Sequence, residues 1–362
     1  MSGPVPVLLM ARDLGLGGTE RQLTEIARSL DRTQFAPHVG CLHADGIRGT
    51  ELEAAGVPIV RFPVQSLYRP STIGAAREMG CYLKQHRIQL VHTFDVPMNL
   101  FGVPVARAYR TPVVLSSQRA FRDLTPGMHR RLLRMTDRLV DGVVVNCEAL
   151  RQHLIADERV PAGRIHVCYN GIDTAVFQPE SRIADGPVTI GIVCALRPEK
   201  GLPTLVEAFA QVPGAQLAII GSGPMLPELQ RLSAALGVLD RCHFEPATNR
   251  VTDWLRKIDV FVLPSLSEAL SNSLMEAMAC ACAVTASSTG GNVELVQSDV
   301  TGLLVPPGDA AALAANLRTL VRNESLRKQL AANASRFIRE RFSRERSAAR
   351  MAEIYDRCLT HS

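Results

Sequence analysis

The sequence predicts an α/β protein made of two successive parallel-sheet domains. Two observations carry this. Short apolar strands alternate with helical segments from residue 5 to residue 170, and the alternation starts again at residue 188. Between the two series lies a stretch rich in turn formers and thin in core residues, from Asn170-Gly171 through IDTAVFQPESRIADGP. Strand–helix alternation argues for parallel sheets covered by helices on both faces, and a turn-rich break of this kind reads as a linker ending near Pro187.

In the first series VPVLLMA (5–11) reads as a strand, and Leu23, Ile26, Ala27 and Leu30 recur at helical spacing after it. Strands follow at 38–43, 58–64, 89–94, 112–118, 142–147 and 164–170, with helical patterns near 49–55, 72–87, 100–108 and 148–156. The second series has strands at 188–194, 216–224 ending in a glycine turn, 242–246, 259–265 and 283–288, with GLLVPPGD (302–309) ending the sheet pattern and a helical pattern from Ala310 to the end. At 362 residues, 46% hydrophobic and 21% charged, the chain can bury two cores. No run approaches the ~20 apolar residues of a membrane span. The start, MSGPVPVLLMARD, reads as a first strand and not as a leader, so a cytoplasmic protein is expected.

The nine cysteines are scattered, with no CxxC, and Cys41, Cys147, Cys168 and Cys194 sit in apolar runs. They read as buried thiols in a reducing compartment, and Cys280 and Cys282 make a poor metal pattern. A net charge of +5 does not call for nucleic acid. The arginine-rich stretch 119–138, RAFRDLTPGMHRRLLRMTDR, has two readings. It suits an anionic membrane surface or a phosphorylated acceptor, or it is an ordinary solvated helix face.

Three places carry candidate chemistry. Gly15, Gly17 and Gly18 form a loop after the first strand, and Thr19 with Gln22 reads as a capping box opening a helix. A glycine loop at a helix N-terminus is an anion site, or only a tight turn. Arg197 and Lys200 lie in the loop after the 188–194 strand. Glu268 and Glu276 stand eight apart where the 259–265 strand hands over to a helix, the edge at which open parallel sheets bind ligands. There too a plain reading competes, since Ser273 and Glu276 form an S-x-x-E capping box.

Taken together, SLSEALSNSLMEAMACACAVTASSTGGNVELVQSDVTGLLVPPGD, GLGGTE, NGIDTAVF, LRPEKG and GSGPMLPEL resemble the retaining, nucleotide-sugar-dependent glycosyltransferases of family 4. The resemblance covers nearly the whole chain. It implies the GT-B fold, two Rossmann-like domains with parallel sheets facing a central cleft. One would span 1–180 together with a C-terminal helix, about 345–362, crossing back to it; the other, the donor domain, would span 187–344. It implies catalytic roles for Glu268 on the donor sugar and for Lys200 and Arg197 on the diphosphate. Glu276 would hold the ribose, and backbone amides at Gly17, Gly18, Ser271, Asn272 and Ser273 would bind the donor. No metal or other cofactor is implied.

The chain departs from the family pattern at several positions. The usual Gly-Arg-Leu reads Cys194-Ala195-Leu196, so Arg197 is the candidate for the phosphate-binding arginine. Ala269 replaces a glycine, Ala281-Cys282 replaces Gly-Cys or Gly-Leu, and His-x-His reads His92-Thr93-Phe94. His92 is therefore a candidate beside the reacting sugar or a core histidine at a strand end. The expected function is transfer of a hexose-type sugar, with retention, from a nucleotide-sugar to a glycan or lipid-linked acceptor in envelope polysaccharide or glycoconjugate synthesis. The enzyme would be cytoplasmic and peripheral at the inner face of the membrane through 119–138. Its rivals are a catalytically silent nucleotide-sugar-binding partner and a sugar-nucleotide epimerase of the same fold.

Overall fold

The structure is a computed structural model that describes residues 3–64, 71–180 and 186–360. The part of the linker over 181–185 and the last two residues of the chain lie outside the described residues. The chain divides into two compact units, Met1–Gly171 with Arg344–Ser362, and Ile172–Ser343.

The first unit runs β1 (Val5–Ala11), α1 (Gly18–Ser29), β2 (Phe35–Cys41), α2 (Ile47–Ala54), β3 (Ile59–Arg61), α3 (Ser71–Gln85), β4 (Leu90–Thr93), α4 (Val96–Ala108), β5 (Val113–Gln118), α5 (Gly127–Thr136), β6 (Gly142–Val145), α6 (Glu148–Ala156) and β7 (Ile165–Val167). The second runs β8 (Val188–Val193), α7 (Leu202–Phe209), β9 (Ala215–Ile220), α8 (Leu226–Ala235), β10 (Cys242–Glu245), α9 (Val251–Leu255), β11 (Val260–Leu263), α10 (Asn272–Ala279), β12 (Ala283–Ser287), α11 (Asn292–Leu295), β13 (Leu303–Val305), α12 (Ala310–Arg322) and α13 (Glu324–Arg341). The last helix, α14 (Arg344–Thr360), belongs to the first unit.

Both sheets are parallel, in the orders β3-β2-β1-β4-β5-β6-β7 and β10-β9-β8-β11-β12-β13. Each order reverses direction once, between β1 and β4 and between β8 and β11. At such a reversal the loops leaving two neighbouring strands diverge and open a crevice at the carboxyl edge. The central strands β4, β5, β6, β11 and β12 are buried throughout, as strands covered on both faces must be. In the first unit the core also takes Met351, Ile354 and Tyr355, one face of α14, packed with Leu23, Ile26, Leu90 and Leu115.

Several boundaries differ from the sequence reading for local reasons. β2 starts at Phe35 and contains Pro37. The β3 pairing begins only at Val39, so Pro37 lies where β2 is still an edge and no donor is missed. α4 starts at Val96, four residues before the expected Leu100, because Asp95 caps it by accepting from Met98 N at 2.9 Å and Pro97 suits a first turn. The C-terminal helical run is three helices. Asn323 caps α13 through Leu326 N (2.9 Å), and the backbone turns again at Phe342. Among the described residues no helix is long and apolar enough to cross a membrane.

Candidate functional site

The loop after β8 and the loop after β11 are laced together by backbone. Leu266 N donates to Glu199 O at 2.8 Å, and Ser267 N donates to the same oxygen at 3.4 Å. Gly201 makes this approach possible. It sits at φ 62°, ψ 28°, and a Cβ there would collide with the Pro264 carbonyl. With the loops joined, Lys200 Nζ meets Glu268 Oε2 at 2.6 Å, and Ser265 Oγ donates to the same carboxylate oxygen at 3.2 Å. The two charged side chains are mostly buried, 19% and 12% exposed. Burial alone would depress the Lys200 pKa; the Glu268 charge and hydrogen bond outweigh it and hold the pKa above the usual lysine value. Lys200 is therefore a fixed cation. Arg197, three residues earlier, points to solvent, with only a 4.0 Å approach to Glu199.

The Glu268 loop is pinned from behind. Ser287 Oγ donates to Ser265 O (2.5 Å), Gly291 N to Ala269 O (2.6 Å), and Asn292 Nδ2 to Ser287 O (3.0 Å). It feeds α10, whose cap is Ser271, accepting from Leu274 N at 3.3 Å. The cap is thus two residues earlier than the S-x-x-E reading placed it. Glu276 consequently lies past the first turn and takes no part in a capping box; its side chain is buried, 2% exposed. Ser271 and Ser273 hydroxyls are 3.2 Å apart at the helix start. Lys200, Glu268, Ser271, Asn272, Ser273 and Glu276 thus belong to one strand-end region of the second unit.

In the first unit α1 begins at Gly18 with Gly17 as its cap and no side-chain cap bond, so Thr19 and Gln22 form no capping box. Gln22 instead pairs with the backbone of Gly171, donating to its carbonyl and accepting from its N–H, both at 2.9 Å. The Glu20 carboxylate folds back against Gly17, where a Cβ would collide with it. Burial raises the Glu20 pKa, while its own backbone N–H holds it the other way. The Glu20 carboxylate thus occupies the space beside Gly17 at the start of α1.

Of the two positions open to His92, the structure shows the core one. The ring is fully buried, with Nδ1 2.8 Å from Tyr355 Oη and Nε2 2.9 Å from Ser117 Oγ. Burial pushes its pKa well below the usual histidine value, with the Arg119 charge adding to this, so the ring is neutral. Its role here is to fasten α14 to β4. Sequence reasoning singled out neither Arg119 nor Asp95 at the same carboxyl edge. Arg119 appeared only as one of many arginines; its setting depends on Phe94 and Asn170, which no local pattern connects to it.

The 119–138 segment is mixed. Arg122 is buried and paired with Asp137 (2.7 and 2.9 Å) and Glu158 (3.6 Å), and Arg130 and Arg134 also bond Glu158, at 2.5 and 2.7 Å. Outward of these, Leu124, Met128, Met135 and Leu139 are exposed, beside exposed Arg131, Arg134 and Arg138. Among the described residues no group of three or more His, Cys, Asp or Glu side chains is arranged to hold a metal ion.

Comparison with known proteins agrees with this two-unit description. Residues 16–176 match the family model described as Glycosyltransferase Family 4, and residues 173–337 match Glycosyl transferases group 1. A lipopolysaccharide core biosynthesis glycosyltransferase, LpsE of Rhizobium meliloti, is 33% identical over 162 residues, 45% of this chain and 47% of that protein. A D-inositol 3-phosphate glycosyltransferase of Streptomyces scabiei is 29% identical over 285 residues, 70% of this chain and 63% of that protein. The matched segments span about half the length of the curated relatives. In fold, the crystal structure of Anabaena HepE in complex with UDP-glucose superposes with a TM-score of 0.86 at 23% identity, covering 97% of this chain and 99% of that one. With both sheets parallel and both halves matched, the chain is a GT-B-fold relative of the glycosyl transferases group 1 and glycosyltransferase family 4 families.

Proposed function

We propose that the chain is a retaining glycosyltransferase that moves a sugar from a nucleotide-diphospho-sugar to a glycan or lipid-linked acceptor. The observation that carries this is the Lys200–Glu268 pair at the carboxyl edge of the second sheet, beside the α10 N-terminus and the buried Glu276. A nucleoside diphosphate leaving group develops negative charge, and a fixed cation and helix-start amides are what such charge requires. Lys200 supplies the cation, with the Ser271–Ser273 amides. Glu268 accepts from the hydroxyls of the reacting sugar, and Glu276 accepts from the ribose diol. The bond from the anomeric carbon to the diphosphate oxygen breaks with its electron pair going to the diphosphate. The acceptor hydroxyl attacks the same face and loses its proton to the departing phosphate, so no protein nucleophile is needed. Arg197, solvent-facing and 4.0 Å from Glu199, can turn to the diphosphate. Gly17 and Gly18 amides at the start of α1 are the first-unit candidates for donor contact.

The relatives named for lipopolysaccharide core and inositol-phosphate glycosides support an acceptor from envelope or glycoconjugate synthesis. The exposed Met128, Met135 and Leu139 beside Arg131 and Arg138 support peripheral contact with an anionic membrane, at the cytoplasmic face. A second reading, a silent nucleotide-sugar-binding partner, is favoured by His92 being committed to the core and by alanine at position 195.

The deciding experiment incubates the purified protein with UDP-, GDP- and ADP-sugars, with and without glycan and lipid acceptors, and follows nucleotide release. Acceptor-dependent release that Glu268→Ala and Lys200→Ala abolish is the expected result. Nucleotide binding with no release from any donor identifies the silent partner, and an isomerised donor sugar identifies an epimerase. Near wild-type rates in both variants would sink the site assignment.

A further inference from the structure

Arg119 is the first residue past β5, at the same carboxyl edge as the ends of β1 and β4. Its Nη1 donates to Asn170 Oδ1 at 3.1 Å, and its guanidinium lies 5.4 Å over the Phe94 ring. Nε is sealed from solvent with no hydrogen-bond partner. Among the described residues Arg119 makes no close ion pair; one of its five N–H donors is committed, and the Glu20 charge acts on it only from beyond ion-pair distance. Three residues on, Arg122 shows how this fold treats an arginine it buries for structure alone: a bidentate aspartate and a glutamate close around it. Burial lowers the Arg119 pKa to about 10, the cost of leaving it unpaired. The side chain keeps partial solvent contact, so a ligand can reach it.

A largely buried guanidinium with no close acid partner costs the folded chain stability. Stacked on a ring and braced by an amide, it is preorganised for the planar, two-point bonding of a phosphate or carboxylate. On the reading above, the donor diphosphate already has Lys200 and the α10 start in the second unit, and in the first unit the Glu20 carboxylate lies against Gly17. We infer that Arg119 recognises an anionic group, phosphate or carboxylate, carried by the acceptor, and that the acceptor is therefore an acidic glycoconjugate. This rests on the transferase reading above.

The test reads binding without turnover. Glycerol 3-phosphate and glucuronate are titrated calorimetrically into the full chain, with glycerol and glucose as neutral counterparts. At least one anion binds, and its identity separates a phosphate from a carboxylate source. Arg119→Gln weakens that binding by about tenfold or more, Arg119→Lys restores part of it, and Lys200→Gln leaves it in place. Equal binding by Arg119→Gln and wild type, loss in Lys200→Gln alone, or no binding of either anion by wild type overturns the inference. Thermal melts of both Arg119 variants confirm that they are folded. A chain that binds these anions through Arg119 yet releases nucleotide from no donor would sink the transferase reading and leave the anion site standing.

Discussion

Each unit presents a cation at the carboxyl edge of its sheet, and the two are treated in opposite ways. Lys200, after β8, is held at 2.6 Å by Glu268. Arg119, after β5, has an amide and an aromatic ring and no acid partner. Removing one member of a buried pair strands an opposite charge, whereas removing Arg119 strands none and gives up only its bond to Asn170. The paired cation is thus part of what holds its loop in place, and a donor of the proposed kind would have to displace the existing Lys200–Glu268 contact to use either side chain. The unpaired one is a standing cost that only a ligand relieves.

The largest expected effect that can break this comparison is on turnover. Lys200→Gln should lower kcat by about a hundredfold to a thousandfold, the cost of losing one fixed stabiliser of developing charge. A fall of less than about threefold, measured under saturating donor, would mean that the pair only braces the loop. Next comes stability at the arginines. Arg122→Met strands Asp137, whose side chain is 10% exposed, while Glu158 keeps Arg130 and Arg134; the variant should be destabilised by about 3 kcal/mol in urea unfolding. Arg119→Met should leave the midpoint equal to or above wild type. If both arginine variants fall alike, Arg119 has a structural partner and the contrast with Arg122 collapses.

Much of this was legible in the residues, and the reason it stops where it does is distance along the chain. Strand–helix alternation marks both sheets because buried parallel strands are short continuous apolar runs. The loops holding Lys200 and Glu268 stand out because each follows such a run. The α10 cap was misplaced because Ser271, Asn272 and Ser273 are all capable N-caps, and the choice is made by where the loop is pinned, through Gly291 and Ser287. His92 could not be settled locally, since its partner Tyr355 lies 263 residues away on the helix that returns to the first unit. Gln22 reaches Gly171 over 149 residues in the same way. The charge of the 119–138 stretch is largely absorbed by Glu158, outside the stretch itself, so composition overstated its free positive charge.

The smallest effect sharpens the picture of the first unit's edge through pH. Asp95 caps α4 and also accepts from Arg12 N at 2.5 Å. Burial raises its pKa from 3.8 to about 6, against those two backbone bonds, with the Glu20 charge adding to the rise. A carboxyl with a raised folded pKa binds more protons in the folded state than in the unfolded state between these two values. Its contribution is therefore fully present below pH 3.8 and is lost as pH climbs to about 6. Asp95→Asn keeps an oxygen for the cap and removes the titration. Relative to wild type, it should gain stability steadily between pH 4 and 6 and hold that gain at pH 7. Other carboxyls titrate in the same range, including Glu158, which its arginines hold below the usual value, so the difference between the two proteins is the quantity to follow. Denaturant unfolding at each pH unit from 4 to 7 measures it. A difference that stays flat across that range would mean Asp95 is ionised throughout, and that its Met98 and Arg12 backbone bonds outweigh its burial.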